Sequence, residues 1–494
     1  MRSPNKLLAA AAVLGPLAMG TWAVAADVLS AQRTVAVMPE VATQGLTAAA
    51  SRQIQDELGQ WLSADRPAGV VESPIRARIS PEELQAIENP EAVNGAPLKV
   101  GTVVALGGAQ IDINGLTLTK GNVANRNVAG GTFAQTPDGG YVWSAAVGSE
   151  YAGGVRLHIE NLYLPPNAEL FFYNSSGEVY GPYSGAGPEG SGEFWTPSVL
   201  GRQGTLQVRV YAPADADDLS EISLTVREVG HISRGFFGLG NEQAGTCGTN
   251  ASCVVNTNCQ NEPIVNNAEL AAAKMLWISG PYIYTCTGGL VNDTVAGTQI
   301  PYFLTANHCL SKANTNLEAF FRYQAACGST VNCTGTWDDP PAGSFAGKTV
   351  GATVKATNRR GDFTLLQLSQ NPPGGSFFLG WTTTAVANSN NIPLYRVSHP
   401  SGAPQSYSQH SVDTGAVTCT GWPRGERIYS NDVVGATEGG SSGSVVVNAV
   451  GQIVGQLSGC CGYNCGNVCD TASNSTVDGA FAYYYNKVQP FLAP

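Results

Sequence analysis

The sequence predicts an all-β protein in which a β-sandwich precedes a β-barrel domain. Three observations carry that prediction. The chain has 59 glycines and 28 prolines but only 13% charged residues, a composition that suits turn-rich β structure better than helical bundles. From Ala134 to Val229 apolar residues alternate with polar ones, as at Val155, Leu157 and Ile159, at Leu206, Val208 and Val210, and at Ile222, Leu224 and Val226. From Ala244 onward short apolar segments alternate with turns.

A length of 494 residues exceeds one ordinary domain. Residues 1–25 read as a secretion signal: Arg2 and Lys6 precede an apolar run from Leu7 to Met19, and Ala23-Val24-Ala25 offers a small-x-small cleavage site. That run is too short and too interrupted, by Pro16, for a membrane anchor. Residues 26–133 form an N-terminal segment with helices expected at Thr47–Leu62 and Pro81–Ile87 and strands near Val100–Ala105 and Gln110–Leu116. Residues 134–229 are the sandwich, with Asn174-Ser175-Ser176-Gly177 as a hairpin turn. The sandwich carries no catalytic cluster and reads as a folding, inhibitory or substrate-binding module. Residues 230–245, glycine-rich around an exposed Arg234, are expected to be a linker and processing region, and residues 246–494 the second domain.

All 12 cysteines lie between Cys247 and Cys469. An even number in an exported chain reads as disulfides. The close spacing of Cys460, Cys461, Cys465 and Cys469 lacks the paired CxxC arrangement of zinc sites, so no metal and no cofactor is expected. A net charge of −11 argues against nucleic acid as a partner, since nothing would neutralise its phosphates.

The chemistry concentrates in three places. His308 ends an apolar strand, Tyr302-Phe303-Leu304-Thr305-Ala306, immediately before Cys309. Asp362 stands at the mouth of the alternating strand Phe363–Leu368, where a carboxylate can be desolvated and accept an imidazole Nδ1–H. Ser442 lies in Gly439-Gly440-Ser441-Ser442-Gly443-Ser444, ahead of the three valines Val445–Val447. A serine hydroxyl needs a base that a third group orients, and these residues supply all three in the order His308, Asp362, Ser442.

Two rival readings of the serine segment fail. Flexible linkers do not sit between strands of a cysteine-rich fold. Gly439, Ser441 and Gly443 also match a G-x-S-x-G elbow, but that fold places the histidine after the serine, and the last histidine here is His410. The elbow also requires a following helix, where this chain has valines. The nucleophile is therefore Ser442, with the amides of Gly440 and Ser442 as an oxyanion hole. Of the remaining histidines, His399 sits in Val-Ser-His-Pro-Ser with nothing local to mark it as a base.

Cys286-Thr-Gly-Gly-Leu-Val-Asn292, the segment Tyr302–Cys309, Gly361–Leu368, Gly440–Ser444 and Gly455-Gln-Leu457 together resemble the bacterial lysyl endopeptidase family of trypsin-like serine proteases. The resemblance covers roughly Ala244 to Asp478. It implies a two-barrel chymotrypsin-like fold, a secreted precursor that loses its N-terminal part, and a Cys286–Cys309 bridge beside His308. It also implies a Cys253–Cys327 bridge and a partner for Cys247 in the 460–469 cluster. Two departures stand out. Trypsins carry an aspartate just before the nucleophile to receive a new N-terminus, whereas this chain has Ser441. The resemblance implies a specificity pocket lined by Thr437, Gly439, Leu457, Ser458, Gly459 and Asp478. Thr476 stands at the offset of the family's lysine-binding aspartate, so a Lys or Arg preference would depend on Asp478 pointing into the pocket; otherwise the pocket favours small or apolar side chains. The chain is expected to act on protein or peptide substrates as a secreted monomer with no membrane anchor. The alternative is a secreted, non-catalytic binding protein on the same scaffold.

Overall fold

Period-2 alternation dictates the first layer of structure. In a computed structural model that describes residues 34–66, 74–116, 126–214, 216–237, 250–327 and 347–494, Val155, Leu157 and Ile159 point inward from the strand Gly154–Tyr163 and are fully buried. They meet Trp143, Leu206 and Val208 from the facing layer in one apolar core. One layer runs in the order Val179–Tyr183, Ala168–Tyr173, Gln203–Val210, Tyr141–Ser149, Gly131–Gln135, Arg126–Val128. The other contains Leu98–Ala105, Glu228–Ile232, Gly154–Tyr163, Ser223–Val226 and Ile111–Asn114. This is the expected sandwich, and each fully buried Val, Leu or Ile in it contributes about 1.5–3 kcal/mol.

Local signals set the two helices. Thr47 Oγ1 accepts from the Ala50 amide at the start of Ala48–Ala64. Ser80 caps Pro81–Glu88 with proline at its first turn, and Glu83 accepts from the Ser80 hydroxyl in return. The former packs Leu62 on Phe171, Tyr173 and Val179 of the sandwich.

Three expectations about organisation change. The division at residue 134 cuts through the strand Gly131–Gln135, and Ile75, Val104, Ile111 and Phe133 share the sandwich core, so much of 26–133 belongs to the sandwich. Gly230–Ile232, expected in a linker, lie inside a buried strand that pairs on both sides. Arg234 is only half-exposed: its amide donates to Glu88 Oε1 and its guanidinium to the Tyr151 carbonyl. The rest of the expected linker, from 238, and the signal segment 1–25 lie outside the described residues. Among the described residues no helix is long and apolar enough to cross a membrane.

The second half forms two closed six-stranded antiparallel barrels. The first runs Ala272–Ser279, Tyr282–Leu290, Tyr302–Ala306, Phe363–Leu368, Gly347–Asn358, Asn314–Phe321 and back to Ala272–Ser279. The second runs Pro393–Ser398, Ser406–Val412, Arg427–Val434, Asn474–Ala480, Ile453–Gly462, Val445–Asn448 and closes on Pro393–Ser398. Closure removes the exposed strand edges that open sheets must protect. The terminal helix Phe481–Leu492 buries Phe481, Tyr484, Val488 and Leu492, the spacing of one helical face.

Sandwich and barrels are joined covalently and by a shared sheet. Leu98–Ala105 pairs with Glu228–Ile232 on one side and with Tyr282–Leu290 of the first barrel on the other. Arg156 of the sandwich reaches Glu318 of the barrel at 3.5 Å, and Lys348 approaches the same carboxylate at 2.6 Å.

Burial in this joint holds the His231 imidazole down at about 4, with Arg234 adding to the effect. His231 is therefore neutral in the fold, while the unfolded chain protonates it below about pH 6.5. Its contribution to stability is complete above that pH and declines as pH falls toward 4, by about 1.4 kcal/mol per unit. Chemical denaturation of the full chain should show His231→Gln losing that much less than wild type per unit across this window. Parallel pH profiles for the two proteins would contradict the assignment.

Candidate active site

The strand Tyr302–Ala306 ends in a turn in which the amides of Cys309 and Leu310 both donate to the Ala306 carbonyl. The Cys286–Cys309 disulfide fixes this turn to the neighbouring strand, and His308 sits between the two anchors. Asp362 adopts a left-handed conformation, φ +50°, a region aspartate tolerates better than most side chains. Its carbonyl accepts from the Asn307 amide at 3.1 Å and from Gln456 Nε2 at 2.9 Å. The carboxylate, turned back toward His308, accepts from the His308 amide at 3.0 Å and contacts Nδ1 at 2.9 Å through Oδ2. With Nδ1–H donated there, Nε2 is left as the basic nitrogen. That atom is buried and has no hydrogen-bond partner among the described residues.

Ser442 follows a tight turn in which the Ser441 amide donates to the Glu438 carbonyl and the Ser444 amide to the Ser441 carbonyl. The Ser442 carbonyl accepts from the Thr287 amide at 2.9 Å and lies 3.6 Å from Cys309 Sγ. A Cβ on Gly443, φ +82°, would stand 2.7 Å from the Ala306 nitrogen, so only glycine lets the serine turn press against the strand that delivers His308. Gly440, φ +93°, is equally confined: a Cβ there would lie 2.8 Å from the His399 carbonyl. Thr287 Oγ1 donates to the Gly440 carbonyl at 2.8 Å, while the carbonyls that share peptides with the Gly440 and Ser442 amides, those of Gly439 and Ser441, accept from the Ser401 and Ser444 amides. The amides of Gly440 and Ser442 have no acceptor among the described residues.

A cavity of about 770 Å³ opens beside Ser442. Thr437, Gly439, Leu457 and Gly459 line it, as the sequence leads one to expect, but Ser458 and Asp478 do not. Ser458 is fully buried. Asp478 points into the second barrel beside the inward-facing Ala480, and its Oδ1 accepts from Arg396 Nη2 at 2.6 Å with both side chains fully buried. Arg396 Nη1 also donates to the Ser444 carbonyl and hydroxyl, while Asp478 Oδ2 is buried with no partner among the described residues. Its charge is therefore spent inside the barrel instead of facing the cleft.

Much of the remaining wall comes from the N-terminal half, residues 87–96 and Leu98, and another part from residues 465–468. Asn94 Nδ2 donates to the Cys460 carbonyl at 2.7 Å, and its Oδ1 accepts from the Cys460 amide at 3.0 Å. Ala92 crowds Gly439, where an added Cβ would lie 2.8 Å from the Ala92 Cβ. Nothing in the local sequence marks this strap, because its role depends on contacts more than 300 residues away.

Two disulfide expectations are corrected. Cys253 bonds Cys469, and Cys327 bonds Cys259. The cause is local: Asn256 and Asn258 side chains donate to the carbonyls of Ala325 and Ala326, which brings Cys259 beside Cys327. Cys419–Cys461 and Cys460–Cys465 use the rest of the cluster, leaving none for Cys247, which lies outside the described residues.

Residues 243–478 match the family model described as lysyl endopeptidase, C-terminal domain, and residues 117–233 match lysyl endopeptidase N-terminal domain. The chain belongs to the lysyl endopeptidase family. It is thus a trypsin-like serine endopeptidase, which sets aside the non-catalytic binding module. Among curated relatives, the lysyl endopeptidase of Pseudomonas aeruginosa is 28% identical over 370 residues, covering 72% of this chain and 73% of that protein. Solved structures include an inactive form of Rv3671c from M. tuberculosis, at 14% identity and TM-score 0.30 over 47% of this chain and 90% of that one. The HtrA-type protease AlgW with tripeptide gives 14% identity and TM-score 0.32, over 47% of this chain and 62% of its own. Both likenesses are too distant to bear on function. For this lysyl endopeptidase family member, Gln456, Thr287 and Asn94 are the site neighbours that sequence reasoning missed.

Proposed function

We propose that this endopeptidase is secreted as a precursor and cleaves peptide bonds through Ser442, His308 and Asp362. The observation that carries the reading is the Asp362–His308 pair, with Nε2 unpartnered, packed against the glycine-flanked turn of Ser442. Ser442 Oγ attacks the scissile carbonyl while His308 Nε2 takes its proton. The carbonyl oxygen becomes an oxyanion held by the Gly440 and Ser442 amides, where loss of one donor typically costs about 10²–10³ in rate. Collapse of the tetrahedral species transfers the proton from His308 to the leaving amine and leaves an acyl-enzyme. Water then repeats the sequence, with His308 as base and Ser442 as leaving group. Asp362 holds the imidazole tautomer and stabilises the imidazolium. The chemistry requires no cofactor; the substrates are proteins or peptides, and the enzyme works as a free monomer outside the cell.

The precursor reading has its own support. Residues 87–98 fill one side of the cleft, and the primary amide of Asn94 meets both backbone groups of Cys460 as an extended peptide would. The N-terminal half, including the sandwich, is accordingly read as a prosegment whose removal opens the cleft. A fluorophosphonate probe should label the processed enzyme at one site and label the full chain several-fold more slowly. Ser442→Ala should abolish labelling, and Asn94→Ala should accelerate labelling of the full chain. A full chain that reacts as fast as the processed enzyme would remove the inhibitory role, and undiminished turnover by Ser442→Ala would remove the nucleophile.

The P. aeruginosa relative's name points to lysine, but the Arg396–Asp478 pair leaves Asp478 without free charge to offer a basic side chain. We therefore assign a preference for small or apolar residues at the cleavage site. Profiling with a peptide library should show Ala or Val cleaved faster than Lys or Arg. Fastest cleavage after Lys would refute it.

A further inference from the structure

We infer that Glu438 is a positioning residue that locks the oxyanion turn to the start of the protease half, using uncharged donors where trypsin uses an N-terminal ammonium. The inference rests on the reading of Ser442 and Gly440 given above. Glu438 lies four residues before Ser442, and its two carboxylate oxygens go to different segments. Oε1 accepts from the Ala251 amide at 2.7 Å, and Oε2 accepts from the Ser401 hydroxyl at 2.9 Å. Hydrogen bonds to an ionised carboxylate are roughly twice as strong as neutral ones.

Both partners matter for Gly440. Ser401 is a non-glycine residue at φ +54°, a strained conformation that persists only where its surroundings over-determine it. Its amide donates to the Gly439 carbonyl at 2.6 Å, so Ser401 grips the oxyanion turn by backbone and side chain together. The turn 399–402 thereby lies directly under Gly440, whose missing Cβ would meet the His399 carbonyl at 2.8 Å and the Gly402 nitrogen at 3.0 Å. Asn250 clamps the same turn from outside, donating from Nδ2 to the Pro400 carbonyl at 3.1 Å. Asn250 and Ala251 lie a few residues beyond 230–245, the region where the chain is expected to be cut.

Ser441 supplies the complementary half of the arrangement. Fully buried, its hydroxyl accepts from the Glu438 amide at 3.3 Å and from the Ser398 hydroxyl at 3.1 Å. The carboxylate stands three residues upstream instead, at Glu438, where a backbone amide donates to it. The amide of Ala251 exists before and after processing, so the oxyanion turn does not wait for a new charged terminus.

The test compares Glu438→Ala, Glu438→Gln and Ser401→Ala in the active enzyme prepared from the full chain. Glu438→Ala should lower kcat by about 10–100-fold, short of the full loss of one oxyanion donor, with KM changed less than about threefold. Its fluorophosphonate titration should still reach one site per chain, which shows that Ser442 and the fold are intact. Glu438→Gln keeps an acceptor for Ala251 and should recover most of kcat. Ser401→Ala removes one bond only and should fall between them, which keeps the test decisive if Glu438→Ala fails to fold. Acetylating the α-amine of the active enzyme should leave kcat unchanged. Normal kcat in Glu438→Ala or Ser401→Ala, a Gln variant as impaired as the Ala variant, or loss of activity on acetylation would overturn the inference. Failure of the nucleophile reading would look different, as turnover that survives Ser442→Ala.

Discussion

His308 donates to the carboxylate of Asp362 from its backbone nitrogen at 3.0 Å and from Nδ1 at 2.9 Å, and the rest of the site is arranged around that pair. Holding it there means holding Asp362 in a left-handed conformation that costs most side chains about 1–2 kcal/mol and aspartate less. The cost is met from both barrels. Gln456 of the second barrel donates to the Asp362 carbonyl, and Tyr484 of the terminal helix donates to Gln456 at 2.5 Å. Tyr484 in turn stacks on Phe363, the residue after Asp362, with ring centroids 4.0 Å apart. A residue of the terminal helix thus helps hold the backbone of Asp362 in the first barrel.

The same principle, long-range contacts fixing local geometry, governs the N-terminal half. It shares a β-sheet with the first barrel through Leu98–Ala105, so releasing it means breaking a strand pairing as well as a linker. The buried charges at the joint tolerate that separation unequally. Lys348 stays with Glu318 at 2.6 Å, and that pair remains complete within the barrel when Arg156 leaves. A barrel left with Glu318 alone would carry an uncompensated buried charge, which is costly by several kcal/mol.

Much of this was legible in the sequence where the signal is local or periodic. The helices expected at Thr47–Leu62 and Pro81–Ile87 form at Ala48–Ala64 and Pro81–Glu88, alternation at Val155–Ile159 announces the sandwich, and the glycine-flanked Ser442 with a preceding His308 and Asp362 marks the proposed site. What escaped depends on partners distant in sequence. Asp478 looks the same in sequence whether it faces the cleft or Arg396, because register decides the face and tertiary packing decides the partner. The cysteine pairing turned on two asparagine side chains gripping Ala325 and Ala326. The strap at 87–98 has no periodic signature at all, and Glu438 looks like an ordinary turn residue until Ala251 and Ser401 are seen to converge on it.

The most direct test of the central claim is kcat for Asp362→Asn against wild type in the processed enzyme. The amide preserves the shape of the side chain but presents a donor to Nδ1, so His308 adopts the wrong tautomer and Nε2 no longer accepts the Ser442 proton. The account predicts a fall in kcat of about 10⁴-fold, with fold and substrate binding retained. A kcat within tenfold of wild type would contradict it.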